Sequence, residues 1–163
     1  MSEIRVDAIK TRAGAVPKAV DVGLNITGTV LQVVTASTTT EVGTTSSSFS
    51  DTGLTATITP SSTSSKILVI FTIQRYIDNN SGYGDLKLVR GSTDLETFGF
   101  GHYADVPDMS SSTYQHLDSP STTSATTYKI QFNRRNSAGS IYCQYDDSNG
   151  EGISTIALME IAG

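Results

Sequence analysis

Side chains able to do chemistry are few in this chain. The two histidines, His102 and His116, stand fourteen residues apart in turn-rich surroundings and read as surface residues. Serine and aspartate occur throughout, so a Ser/His/Asp arrangement carries no signal, and no Gly-x-Ser-x-Gly elbow restores one. Glycan cleavage by paired carboxylates needs two acids about 5–10 Å apart in a cleft. Asp105 with Asp108, and Asp146 and Asp147 with Glu151, are the sources, and both clusters read as solvated loops. The second run is acidic and contains glycine, as calcium loops do. Its register fails, because putting Gly150 sixth places Tyr145 first and Ile156 twelfth, and a hairpin turn is the better reading. Cys143 is the single cysteine, so no intrachain disulfide forms and no Cys/His zinc cluster exists; it reads as a small core residue. Gly99-Phe100-Gly101 is not a phosphate loop. The expectation is a non-enzymatic protein without metal or cofactor.

Recognition remains. Tyr76 to Tyr83 and Phe98 to Tyr114 mix aromatic rings with Asp, Asn, Ser and His. Such a mixture suits sugars, whose CH faces stack on rings while hydroxyls take polar partners, and loops at a sandwich end are where binding is commonly grafted. Tyr76, Tyr83, His102 and Tyr103 are therefore the candidate glycan contacts. The alternative is that these aromatics only cap the core.

The elements that must position them are strands. Of 163 residues 37% are apolar and 17% charged, while Ser and Thr supply roughly a quarter of the chain. Thr-rich, charge-poor sequence with 14 Gly favours short strands joined by turns. Strand candidates run over 29–36, 54–59, 66–75, 84–90, 94–100, 114–118, 127–133, 141–145 and 154–161, separated by turn signals such as Pro60 to Ser65 and Asp78 to Gly82. This spacing predicts an all-β, antiparallel sandwich or barrel with little helix. In 127–133, Tyr128, Ile130 and Phe132 face inward, with Lys129, Gln131 and Asn133 outward.

Two strands break that alternation. In 66–75, Ile67, Val69, Phe71 and Ile73 share one face, yet the other begins Leu68, Ile70 before turning polar at Thr72 and Gln74. In 154–161, Ile156 and Leu158 oppose Ala157, Met159 and Ile161. One face of a sandwich sheet ordinarily meets water, so these outer faces need a second cover. Another copy of the chain is the simplest one, making Leu68, Ile70, Ala157, Met159 and Ile161 interface candidates. A helix, or the N-terminal segment, is the competing cover.

Residues 1–28 read as an extended leader, broken by Gly14, Pro17, Gly23 and Gly28 and too poor in apolar residues to fold alone. It either docks on a partner or is a tail. The first 30 residues net +1 and the remainder −6 of the overall −5, marking the leader as a separate unit from the head over 29–163. The acidic balance gives no reason to bind nucleic acid or an anionic membrane. No apolar stretch approaches a membrane span, and the N-terminus lacks a signal core, so the protein is expected to stay in the cytosol of the cell that makes it.

Certain blocks resemble a known group. Ser2 to Gly14 (Ser-Glu-Ile-Arg-Val-Asp-Ala-Ile-Lys-Thr-Arg-Ala-Gly), then Pro17 and the Gly-Leu-Asn-Ile-Thr-Gly of 23–28, resemble the start of small virion structural and fibre proteins of tailed phages, those of marine cyanobacteria above all. Gly28-Thr-Val-Leu-Gln-Val-Val, the run from Ile58 to Val69, Leu88-Val-Arg-Gly-Ser-Thr and the terminal Ile156 to Gly163 resemble the globular part, in the expected order. The resemblance implies a structural virion component, usually trimeric, assembled in the host cytoplasm. A tail fibre or spike touching host polysaccharide is one role; a head decoration, baseplate or adaptor protein without receptor binding is the other. It also implies an N-terminal virion anchor, for which Ile4, Val6, Ile9 and Pro17 are the candidates. The head is similar in outline to the jelly roll of the tumour-necrosis-factor and C1q group, where a central and a final strand cover a three-fold axis. A secreted lectin is disfavoured by the missing signal core.

Overall fold

The computed structural model describes residues 27–78, 82–101, 107–135, 139–147 and 152–163. Ile4, Val6, Ile9 and Pro17 of the expected anchor, and His102 and Tyr103, lie outside these. The strands are β1 (Val30–Thr38), β2 (Val42–Thr44), β3 (Ser50–Ile58), β4 (Lys66–Ile77), β5 (Tyr83–Arg90), β6 (Thr93–Gly101), β7 (Asp108–Asp118), β8 (Thr126–Arg134), β9 (Ile141–Cys143) and β10 (Ser154–Ile161). The protein is all-β and antiparallel, in two sheets that form a sandwich. One sheet runs β3-β8-β5-β6. In the other, β7 lies along one side of β4, while β10 and β9 share its opposite side, flanked by β1 and β2.

Among the described residues, the eight long strands pair first with last, second with seventh, third with sixth and fourth with fifth: β1 with β10, β3 with β8, β4 with β7, β5 with β6. That rolled pairing is the jelly-roll arrangement. Sequence dictates its faces through the two-residue period of a strand. Along β3, Thr52, Leu54, Ala56 and Ile58 are buried, while Asp51, Gly53, Thr55 and Thr57 are exposed. The core between the sheets joins Leu54 and Ile58 to Ile67, Val69, Phe71 and Ile73 of β4, Leu86 and Leu88 of β5, Tyr128, Ile130 and Phe132 of β8, and Ile156 and Leu158 of β10. At the β6–β7 edge, Tyr114 packs against Phe71 and Phe98 with ring centroids 5.5 and 4.6 Å away. The β5–β6 hairpin turns at Gly91, whose φ of +58° a side chain would strain.

Two polar anchors tie the sheets and their connectors together. Asp118 of β7 accepts both bonds of Arg90 Nη1 (2.8 and 2.7 Å) and one from the Tyr128 hydroxyl (2.6 Å), joining one sheet to the other. Burial first, then the Asp118 carboxylate, push the Tyr128 phenol well above its usual range, so it stays a donor. Glu160 of β10 is fully buried and accepts bonds from Ser61 N (2.7 Å), Ser61 Oγ (2.6 Å) and Gln32 Nε2 (2.6 Å). Burial raises its carboxyl, but the hydrogen bonds outweigh this and hold it below the ordinary glutamate range.

Several sequence expectations need correction. β2 falls outside the strands that the sequence pattern predicts, because Val42 is its only large apolar residue. β7 begins at Asp108 rather than 114, since the twelve-residue β4 offers an edge along its whole length. The strand expected over 141–145 stops at Cys143, where Gln144 takes a φ of +54° and turns the chain away. Gln74 and Asn133 do not meet water. Gln74 is covered by the chain following β9, and Asn133 bonds Ser47 O and Asp85 N beneath the β2–β3 connector.

Candidate functional site

The outer face of the larger sheet carries the candidate interface. Strand register sets its residues in rows across β1, β10, β4 and β7. Val33, Met159, Leu68 and Leu117 form one row, and Thr35, Ala157, Ile70 and Gln115 the next. Val30 pairs with Ile161 at the near end, and Ser37, Thr155, Thr72 and Thr113 make a hydroxyl row beyond. All five interface candidates, Leu68, Ile70, Ala157, Met159 and Ile161, thus share one contiguous half-buried surface. Val33 and Leu117, each 52% exposed, extend it, as do Val30 and Ile153. A shallow hollow of about 460 Å³ lies on it, lined among others by Ile70, Ala157, Ile153 and Thr155. Among the described residues no helix covers this face. Sequence reading missed Val33 and Leu117 because a lone aliphatic residue in a polar strand gains meaning only from the neighbour to which register assigns it.

Further along the same face the character changes to aromatic. Tyr76 of β4 pairs with Tyr142 of β9 and with Met109 of β7, and Tyr142 pairs with Gly43 of β2. After the turn at Gln144 the chain folds back over β4. Gln144 N donates to Gln74 O (3.0 Å), Tyr145 N donates to Gln74 Oε1 (2.8 Å), and Gly152 N donates to Tyr145 O (3.1 Å). The Gln144 side-chain amide lies 2.6 Å from Ser154 Oγ in either amide orientation. This brace lays the Tyr145 ring on that of Tyr76, with centroids 4.0 Å apart and planes 19° from parallel. Tyr142 tilts against both, at 5.5 Å from Tyr145 and 6.1 Å from Tyr76. The Tyr142 ring passes so close over Gly43 that a Cβ there would stand 2.7 Å from Cε1.

Of the candidate glycan contacts, Tyr76 and Tyr83 lie among the described residues, and the structure does not bring these two together. Tyr76 points out of the larger sheet. Tyr83, flanked by the inward Gly84, points out of the smaller one, against Gly101. The β4–β5 connection crosses between the sheets, so residues at its two ends emerge on opposite faces. Of the other chemical candidates, His116 Nδ1 lies 2.6 Å from Glu96 Oε2. Asp108 accepts from the Ser110 hydroxyl, and Asp146 is exposed, its backbone N bonded to Glu41. Cys143 is fully buried, and burial pushes its thiol up to about 12. Thiolate chemistry at neutral pH is thereby disfavoured.

Comparison of the sequence with protein-family models yields no match, and none arises among curated proteins.

Proposed function

We propose that this chain is a non-enzymatic, self-associating structural protein of a phage virion. Its head packs as a homotrimer through the outer face of the larger sheet, and its leader attaches to another virion protein. The observation that carries the assembly is the pair of apolar rows from Val33 to Leu117 and from Ala157 to Ile70. Covering the remaining surface of each half-exposed aliphatic side chain contributes about 1 kcal/mol. Over Val30, Val33, Leu68, Ile70, Leu117, Met159 and Ile161 that reaches the lower part of the roughly 4–15 kcal/mol that association costs. The charge-poor centre of this face is also what the middle of a protein interface requires.

What supports the virion setting is the ordered set of sequence blocks resembling small phage fibre proteins. In that setting the leader adds strand-like backbone to a neighbour, with Ile4, Val6 and Ile9 entering pockets. A tail-fibre or spike role, with contact to host polysaccharide, is the first choice, and a decoration or adaptor role is its rival.

Mass measurement in dilute solution tests the assembly: a trimer is expected, and a monodisperse monomer removes its basis. Deleting residues 1–28 should abolish incorporation into particles while leaving a soluble head, and normal incorporation would refute the anchor. Particles lacking the protein should adsorb poorly to host cells; unchanged adsorption would favour the decoration role.

A further inference from the structure

We propose that Tyr76, Tyr142 and Tyr145, with the hydroxyl-lined hollow beside them, form a binding platform for a neutral hexose polymer. The proposal rests on reading the head as a contact for host polysaccharide, and it gives that contact a place. The three rings are half-buried and lie on the outside of the sheet, where they pack chiefly on one another. Tyrosine supplies rigid, amphipathic contact area at small entropic cost, and pyranose CH faces stack on such rings. Next to them a hollow of about 270 Å³ is lined by Gly43, Thr44, Thr45, Ser140 and Tyr142. The hydroxyls of Thr45 and Ser140 are the donors and acceptors that a sugar rim needs.

Charge narrows the ligand class. Glu41 and Asp146 meet at the platform, with Asp146 N donating to Glu41 Oε2 (2.9 Å). Burial first, then Tyr76, Glu41, Tyr142 and Asp147, raise the Tyr145 phenol, so it stays protonated and able to donate at neutral pH. Uronate or sialate polymers would meet this acidic rim and be repelled. The two apolar rows stop short of the platform, because Ile70 and Tyr76 are six residues apart on β4, roughly 20 Å at the rise of a strand.

Retention of the full chain on immobilised dextran, mannan and galactan, with polygalacturonate as the charged control, tests the platform. At least one neutral polymer should retain the protein, and polygalacturonate should not. Tyr145→Ala removes the outer ring, and Thr45→Arg fills the hollow from an exposed position while leaving all three rings in place. Each should lower retention tenfold or more, while Thr57→Ala, on the outer face of the smaller sheet, leaves it unchanged. Retention by none of the three polymers, retention surviving both platform variants, or equal retention by polygalacturonate overturns the proposal. Particle mass separates this from failure of the assembly: a trimer that retains no polymer removes the platform alone, and a monomer that retains one removes the assembly alone.

Discussion

The two sheets of the sandwich share an inner face and differ in their outer ones. On the outside of β3-β8-β5-β6, Asp51 sits between Lys129 (2.9 Å) and Gln131 (2.7 Å), Lys87 pairs with Asp94 (2.8 Å), and the hydroxyls of Thr57 and Thr127 meet at 2.7 Å. On the outside of the larger sheet the corresponding positions hold Val33, Met159, Leu68, Leu117, Ile70 and Ala157. An antiparallel sandwich needs its outer faces polar only where they meet water. The smaller sheet turns charge and hydroxyls to solvent, while the larger turns apolar rows outward. The same alternation that builds the core thus also marks the face that the proposed assembly would cover.

The sharpest way to break this contrast is to place a charge on each outer face in turn. Leu117→Asp changes a side chain 52% exposed in the single chain, so the fold should persist. In a trimer the substitution puts three carboxylates into an apolar interface, and the expected outcome is complete dissociation to monomer by mass measurement. Thr57→Asp, on the smaller sheet, should leave the mass unchanged. If both variants assemble normally, the apolar rows are not the interface.

A second, smaller effect lies where the faces join. Asp118→Ala leaves the Arg90 guanidinium and the buried Tyr128 hydroxyl without their shared acceptor. Breaking a buried pair from one side costs about 3 kcal/mol, read as a shift in the denaturant midpoint. Because the network spans both sheets, the loss should appear in the isolated head as well as in the assembled protein. A loss confined to the assembly would mean that the network serves the interface instead.

How far the sequence discloses this contrast depends on the element. Where an inner residue recurs every second position, as in Ile67, Val69, Phe71 and Ile73, the period reveals the strand and its core face together. The outer apolar residues of β4 and β10 are equally legible, because consecutive aliphatics cannot all face one core. The outer row as a row is not, since Val33 and Leu117 join it only through pairing between distant strands. The tyrosine platform is hidden for the same reason. Tyr142 and Tyr145 reach Tyr76 through the β4–β9 register and the turn at Gln144, whose left-handed backbone no residue type announces. Tyr76 and Tyr83 look like neighbours along the chain, yet they part because their connection passes from one sheet to the other.

Acid should act on the larger sheet through Glu160. Its folded carboxyl lies below the ordinary value of 4.5. The folded state therefore binds protons less readily than the unfolded one. Its contribution is full above that ordinary value and is lost as pH falls through the folded one. Glu160→Gln should cost about 2 kcal/mol at neutral pH, where charged hydrogen bonds count most. The gap between variant and wild type should close on acidification. A gap independent of pH would show that packing, not charge, holds the β10 end.

The smallest effect belongs to the wet face. Asp51 is also held below its ordinary range, by the Gln131 hydrogen bond first and by Lys129, against a burial penalty. Its sign is that of Glu160, with stability present at neutral pH and lost in acid. The pair is solvent-exposed, however, and water and salt screen most of its attraction. Asp51→Asn should therefore cost less than about 1 kcal/mol, shrink further in molar salt, and leave the assembled mass unchanged. Chemical denaturation at low and high salt checks this. A loss as large as that of Glu160→Gln would mean that the outer face of the smaller sheet is also covered in the assembled protein, because only exclusion of water raises an exposed pair to that strength.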